Sequence, residues 1–285
     1  MIGRDYLSWW LRPAFLRRGP KKSVLFAGPW VGEFGWELIS WQAFVRALAP
    51  AYQEIVVSCR AGNEALYKDF ATAFVPHGIK GVSNCNIVRD IDNPEEKQRI
   101  QAQIPRDADH LKPLGFQPFH RQLFIPFGTR KAELETDILF HPRGRAFGAL
   151  RNWDASKWES LLSSPALQHL RIGCIGLKNA TLDIEGDYAD FRDAPLDRTM
   201  DLIASTRLVV GPSSGPMHLA SLCKTPHLVW SNRQRWARGL TSREKYERAW
   251  NPFGTPAVVM DDEGFNPSVK RVATEISKYL SNGAR

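Results

Sequence analysis

The chain has 285 residues, 43% of them hydrophobic and 24% charged. These fractions are ordinary for folded domains and exclude wholesale disorder, collagen-like repeats and coiled coils. The length fits one large or two small domains, no apolar run approaches the ~20 residues that span a bilayer, and a net charge of +8 points either to anionic partners or to an ordinary solubility charge.

Residues 1–22 read as a separate arm in which Trp9, Trp10, Phe15 and Leu16 alternate with Arg12, Arg17 and Arg18. Pro13 and Pro20 limit any helix there to short pieces. Residues 9–18 would suit the interface of an anionic bilayer, or pack on the body. The same interleaving, with no small-residue cleavage site, argues against a signal peptide. Ser23-Val-Leu-Phe-Ala27 is short and apolar enough for a buried strand, closed by Gly28-Pro29. After the loop 30–35, Leu38, Trp41, Val45 and Leu48 recur at helical spacing through 36–49. The run 54–59 reads as a second strand. Residues 64–74 look helical, as do 94–102 with Pro94 suited to a first turn, and 123–127 look like a strand.

A boundary is expected in the polar stretch 128–136, after which the alternation restarts. Strands are expected at 137–140, 170–176, 207–210, 227–230 and 257–260. Between them come helices at 154–163 (Asp154 as cap), from Pro195, and at 216–223, with a last helix after Asn266-Pro267. Alternating strands and helices imply parallel sheets. The predicted fold class is α/β, two Rossmann-like lobes facing across a cleft. The domains are an arm at 1–22, a first lobe at 23–130 and a second at 131–285. Ligands of such sheets bind at the carboxyl ends of the strands, where the loops 28–35, 141–152 and 211–215 fall.

Three of these loops carry chemistry. In Gly211-Pro-Ser-Ser-Gly-Pro-Met-His218, small residues turn the chain into a helix whose first N–H groups and dipole suit a phosphate. Ser213, Ser214 and Gly215 line the turn, and His218 lies one helical turn in, able to donate to a phosphate or to serve as a structural histidine. An ordinary turn with serine caps gives the same pattern. The loop 141–152 carries Arg143, Arg145 and Arg151, whose forks match phosphate oxygens; a solvated basic loop is the alternative. Glu33 and Glu37, four apart beside Gly32, Gly35 and Trp36, are candidate bases, because burial among aromatics raises a carboxyl pKa; helix-start charges are the alternative. No GxGxxG or P-loop is present. Asp261-Asp-Glu263 reads as a solvated turn, so no metal site is expected. Cys59, Cys85, Cys174 and Cys223 lack CxxC spacing, which argues against a zinc ribbon or disulfide framework and for a reducing cytoplasm. The basic aromatic stretch 233–248 is open to a nucleotide or an anionic acceptor; nucleic acid is not expected.

At Phe140-His-Pro-Arg-Gly, Arg151-Asn-Trp153, Trp158-Glu-Ser-Leu161 and Gly211-Pro-Ser-Ser-Gly-Pro-Met-His-Leu219 the chain resembles the bacterial heptosyltransferases, glycosyltransferase family 9. The resemblance covers about 137–232 well and 23–50 in outline. It implies a GT-B fold and a nucleotide-sugar donor, with Arg151 on the diphosphate and Ser214 and Gly215 beside it. Ser213 stands where the family has Asp. The family's catalytic Asp aligns with Trp36, so that Glu37 or Glu33 would substitute.

The expected activity is a metal-independent transfer of a hexosyl or heptosyl group from a nucleotide sugar, a substrate rather than a cofactor. The acceptor would be a glycan or lipid-linked molecule of surface polysaccharide synthesis, met in the cytoplasm or peripherally at the inner membrane face. The alternatives are a non-catalytic nucleotide- or glycan-binding protein on a degenerate GT-B scaffold, and a nucleotide-sugar epimerase.

Overall fold

A computed structural model describes residues 22–79, 93–113, 122–233 and 240–282. The arm 1–22, apart from Lys22, lies outside the described residues with its expected membrane contact, as do Cys85 and Trp236. The chain forms two compact units, Met1–Phe124 and Ile125–Arg285. The change of unit falls ahead of the polar stretch 128–136, because the Phe127 amide already donates to Leu222 O of the second unit at 3.0 Å.

The first unit holds a parallel sheet of β1 (Val24–Ala27), β2 (Glu54–Val57), β3 (Ala73–Phe74) and β4 (Ala108–Leu111), in the order β3-β2-β1-β4. β1 is buried along its whole length, as a central parallel strand requires. From it the chain enters α1 (Phe34–Trp36), a π-helical turn at Glu37–Trp41 and α2 (Gln42–Leu48). The helix α3 (Pro94–Ala102) starts at the expected proline, with the Asn93 side chain accepting from Glu96 N at 3.0 Å.

The second unit holds β5 (Ile138–Phe140), β6 (Ile172–Cys174), β7 (Ala189–Asp190), β8 (Leu208–Pro212), β9 (His227–Trp230) and β10 (Ala257–Met260), all parallel, in the order β10-β9-β8-β5-β6-β7. Its helices are α4 (Ala155–Leu162), α5 (Leu196–Ser205), α6 (Gly215–Leu222), α7 (Ser242–Lys245) and α8 (Val269–Asn282). Asp154 sits at the N-cap of α4 but makes no side-chain cap bond. The core is aromatic. Trp153, Trp158 and Trp230 pack with ring centroids 5.0–5.5 Å apart, and Phe140 lies 5.2 Å from Trp158.

Counted within its own unit, each sheet places the first strand between the second and the fourth. The second unit completes the order 3-2-1-4-5-6 of doubly wound Rossmann folds, whose ligands lie where the strand order reverses. Those points are β1 beside β4 in the first unit and β5 beside β8 in the second.

Two expectations fail locally. Residues 64–74 form a single 3-10 turn, Glu64–Leu66, and then β3. The π turn aligns Glu37, Gln42 and Arg46 as a polar stripe on a helix buried there on all sides, and 63–69 bends to satisfy it. Asn63 Nδ2 and Tyr67 OH donate to Glu37 at 2.7 Å each, and Arg46 donates to Leu66 O at 2.9 Å and to both Asp69 oxygens at 2.7 and 3.0 Å. A regular helix would turn half of these groups away. The expected strand at 123–127 is not one: Leu123 N donates to Ala43 O at 2.9 Å, outside any sheet.

The end of β1 demands glycine. Gly28 has φ +128°, and a Cβ there would lie 2.3 Å from Ser58 O, a main-chain atom that cannot step aside. Gly28→Ala is expected to destabilise the first unit by about 1–3 kcal/mol, read as a lower urea midpoint followed by first-unit amide exchange; an unchanged midpoint would contradict this packing.

Candidate functional site

The loop after β5 is built around Arg143. This side chain is 1% exposed, and its guanidinium donates to Gly148 O at 3.0 Å and, at closer range, to Asn152 Oδ1, with Phe147 O at 2.5 Å. The sequence offers Arg143 as a phosphate ligand, whereas the structure turns it inwards to hold its own loop. Asn152 closes the loop by donating to Arg145 O at 2.9 Å and accepting from Arg145 N at 3.2 Å. Trp153, buried with its indole N–H on Pro267 O at 2.9 Å, anchors the end. Arg145 is exposed. Arg151, half-buried, lies across the mouth of the β8–α6 turn, Nη1 donating to Ser213 O at 3.4 Å. Gly148 is left-handed (φ +65°), and a Cβ there would stand 3.1 Å from Arg151 Nη2 and 3.5 Å from Arg143 Nη2. The bare glycine therefore lets two like-charged guanidinium groups share one corner.

The turn itself sits at the reversal of strand order. Ser213 N donates to Trp230 O at 2.8 Å, and Ser214 is the extended N-cap of α6. A cap serine ordinarily accepts from the first turn. Here Ser214 Oγ makes no such bond, and this buried oxygen has no partner among the described residues. The same holds for His218 Nδ1, one turn on. His218 is 7% exposed, with its ring 5.0 Å from Trp250 and 5.8 Å from Tyr246. A buried polar atom left unpaired is costly; four tryptophan indole N–H groups, Trp30, Trp41, Trp158 and Trp230, share that state within apolar surroundings. Ser214 Oγ and His218 Nδ1 differ in standing beside an arginine and a helix start that offers N–H groups, an arrangement able to accept an anion. Arg151, Ser213, Ser214, Gly215 and His218 are thus brought together; Arg143 supports them and Arg145 stays outside.

Sequence reasoning missed what stands behind His218. Tyr246 and Trp250 lie on a second π turn, Tyr246–Trp250. Tyr246 OH bonds to His227 Nε2 and lies 3.1 Å from Met217 O, while His227 Nδ1 bonds to Thr225 O at 2.9 Å. The Tyr246 and Trp250 rings hold His218 in one orientation. The basic stretch 233–248, with the aromatics that run on to Trp250, contained the signal, read there as ligand contact.

In the first unit the two candidate carboxylates differ. Glu37 has no exposure, accepts from Tyr67 OH and Asn63 Nδ2, and is pushed up to about 7 by burial. Glu33 is half-exposed at the N-cap of α1, its carbonyl accepting from Trp36 N and Glu37 N at 3.1 Å each. Glu37 has the proton affinity of a base and Glu33 the access. Among the described residues no group of three or more His, Cys, Asp or Glu is placed to hold a metal ion, and no helix is long and apolar enough to cross a membrane. A groove of about 860 Å³ between α4 and α8 includes none of these loop residues in its lining and is lined by serines such as Ser160, Ser163 and Ser277, each bonded to its own helix.

These strand orders and strand-end loops define a two-lobed α/β fold of the GT-B type. No family model matches the sequence, and neither does any curated protein. Solved structures do match. The family 9 glycosyl transferase of Veillonella parvula DSM 2008 aligns with a TM-score of 0.60 over 92% of this chain and 98% of its own, at 11% identity. The Escherichia coli ADP-heptose LPS heptosyltransferase II aligns at 0.55 over 92% and 100%, at 15% identity. The E. coli heptosyltransferase WaaC with ADP-2-deoxy-2-fluoro heptose aligns at 0.51 over 92% and 99%, at 12% identity. The expected likeness to family 9 enzymes thus holds for the fold of nearly the whole chain.

Burial lowers three second-unit histidines from their ordinary value, His141 to about 4, His218 to about 3 and His227 to about 4. Below pH 6.5 the unfolded chain takes up protons that the folded unit resists, so stability falls as the pH drops from 6.5 towards 4. Each histidine contributes up to about 1.4 kcal/mol per pH unit. Urea unfolding at pH 5, 6 and 7 should show this slope, and His218→Gln should flatten it; an equal slope in the variant would mean that His218 is not buried neutral.

Proposed function

We propose that this protein is a glycosyltransferase that moves a sugar from a nucleotide donor to a glycan or lipid-linked acceptor in surface polysaccharide synthesis. The observation that carries the reading is the pair of unpartnered buried atoms, Ser214 Oγ and His218 Nδ1, at the β5/β8 reversal beside Arg151. An anionic diphosphate supplies oxygens to both atoms, to the guanidinium and to the first N–H groups of α6. Arg151 and the helix start would stabilise the charge that develops as the sugar–oxygen bond to phosphate breaks and the nucleoside diphosphate departs with the electron pair. Structures that share the fold include one described with an ADP-linked sugar analogue, which supports the donor class.

The acceptor oxygen attacks the anomeric carbon and gives its proton to a base, for which we take Glu33. A general base must first reach the proton, and only then does its affinity matter. Glu37 fails the first condition, since both of its oxygens are engaged inside the unit. The arm 9–18, aromatic and basic in sequence, supports peripheral contact with an anionic membrane face on which a lipid-linked acceptor would be met.

Incubation with ADP- and UDP-sugars should release nucleoside diphosphate. Arg151→Ala is expected to weaken ADP or UDP binding at least tenfold by calorimetry. Glu33→Gln should lower turnover about 10²-fold, and Glu37→Gln less than tenfold. Diphosphate binding with no release from any sugar would make the protein a binding module; conversion of the sugar without release would make it an epimerase. Equal activity of Glu33→Gln and the unaltered protein would remove Glu33 as the base.

A further inference from the structure

The loop that delivers Glu33 is fixed in an uncommon way. Gly28, Trp30, Val31 and Gly32 are buried, so their carbonyls need partners, which buried loops ordinarily find in the main chain. Here they are taken in turn by side chains from three other strand ends. Gly28 O accepts from His110 Nε2 at 2.9 Å, and Trp30 O accepts from His77 Nε2 at 3.1 Å. Val31 O accepts from Arg60 Nη2, and Gly32 O from Arg60 Nη1 at 2.6 Å. The donors follow β2 (Arg60), follow β3 (His77) and stand within β4 (His110), so the loop is tied to every neighbour of β1's carboxyl end. The main chain adds Gly28 N on Leu111 O at 2.9 Å and Trp30 N on Ser58 O at 3.0 Å.

The donors are themselves set. Arg60 and His77 are bridged, with Ala61 N on His77 O at 3.1 Å and His77 N on Cys59 O at 2.9 Å. Ile79 N donates to His77 Nδ1 at 3.3 Å, which leaves the ring proton on Nε2, where it meets Trp30 O. Burial holds His77 down at about 4 and also lowers His110, so both act as neutral donors around neutrality. Arg60 gives the two bonds nearest Glu33.

We propose that Arg60, seconded by His77 and His110, is a positioning residue that pins the loop 28–32 and thereby fixes where Glu33 meets the acceptor. The proposal rests on Glu33 as the base. Beyond it, the proposal assigns three residues that touch no reacting atom. A misplacement of about 1 Å at a reacting group can cost 10²-fold in rate; the start of α1 fixes the Glu33 carbonyl, and the Arg60 bonds fix the residues that lead into it.

The test compares Arg60→Met and Arg60→Lys with the unaltered protein, using the nucleotide sugar that is turned over, with water as acceptor. Arg60→Met should lower kcat about 10- to 100-fold with KM for the nucleotide sugar within twofold, and Arg60→Lys should recover part of the loss. Amide exchange over 30–37 should quicken at least tenfold in Arg60→Met, while 141–152 and ADP affinity stay as they were. Unchanged exchange over 30–37 overturns the proposal. So does a raised KM with kcat intact, which would make Arg60 a substrate contact. If Glu33→Gln is fully active, the base assignment fails alone, and exchange still decides whether Arg60 pins the loop. Should no nucleotide sugar be turned over, exchange again decides.

Discussion

In a parallel sheet every strand ends on the same side, and the connections leave that edge in opposite directions only where the strand order reverses. The chain meets this constraint twice. Its first unit reverses between β1 and β4, its second between β5 and β8, and each residue argued here to hold donor or proton stands on a loop or helix start at one of these two points. The loops do not need to be long to serve, because at each point the two connections leave in opposite directions. What they need is rigidity, and both obtain it from arginine bonds to carbonyls: Arg143 within the loop after β5, Arg60 on the loop after β1. A guanidinium offers five N–H donors in a fixed plane, enough to tie several carbonyls that would otherwise face water.

Desolvation then sorts residues of the same type into different work. Arg143 and Arg151 belong to one loop, yet the first is buried among oxygens of that loop and the second is half-buried over the Ser213 turn. Glu33 and Glu37 share one helix start, yet Glu37 is sealed by Tyr67 and Asn63 and raised to about 7, and Glu33 keeps access. His218 is neutral because burial disfavours its cation, so it can offer an anion a hydrogen bond without carrying a fixed charge.

Much of this was legible in the sequence, because apolar strands and small-residue turns are local signals. The βα turn at 211–218, the helix begun at Pro94 and the parallel alternation after 137 follow from residues adjacent in the chain. β4 was not legible: Ala108-Asp-His-Leu111 carries two polar residues and becomes a strand only because β1 offers its free edge. The role of Arg143 was hidden for the same kind of reason. Its oxygens come from 147, 148 and 152, and three arginines in one loop read alike until the loop is folded. Tyr246 and Trp250 could be found only once the chain returned to His218, about 30 residues after it.

The segment 63–69 shows how one local irregularity propagates. A π turn inserts a residue into a helix, and such turns recur at functional sites. At Glu37–Trp41 it brings residues five apart onto one line, Glu37 with Gln42, after which Arg46 follows at the ordinary four. Periodicity of 3.6 finds the apolar positions of this helix but cannot find that stripe. The stripe needs oxygens and donors, which 63–69 supplies by remaining irregular, and that segment lies in the chain between Arg60 and His77. The inserted residue therefore does more than seal Glu37. The stripe it creates bonds to a segment flanked by Arg60 and His77, two of the donors that hold the loop of Glu33.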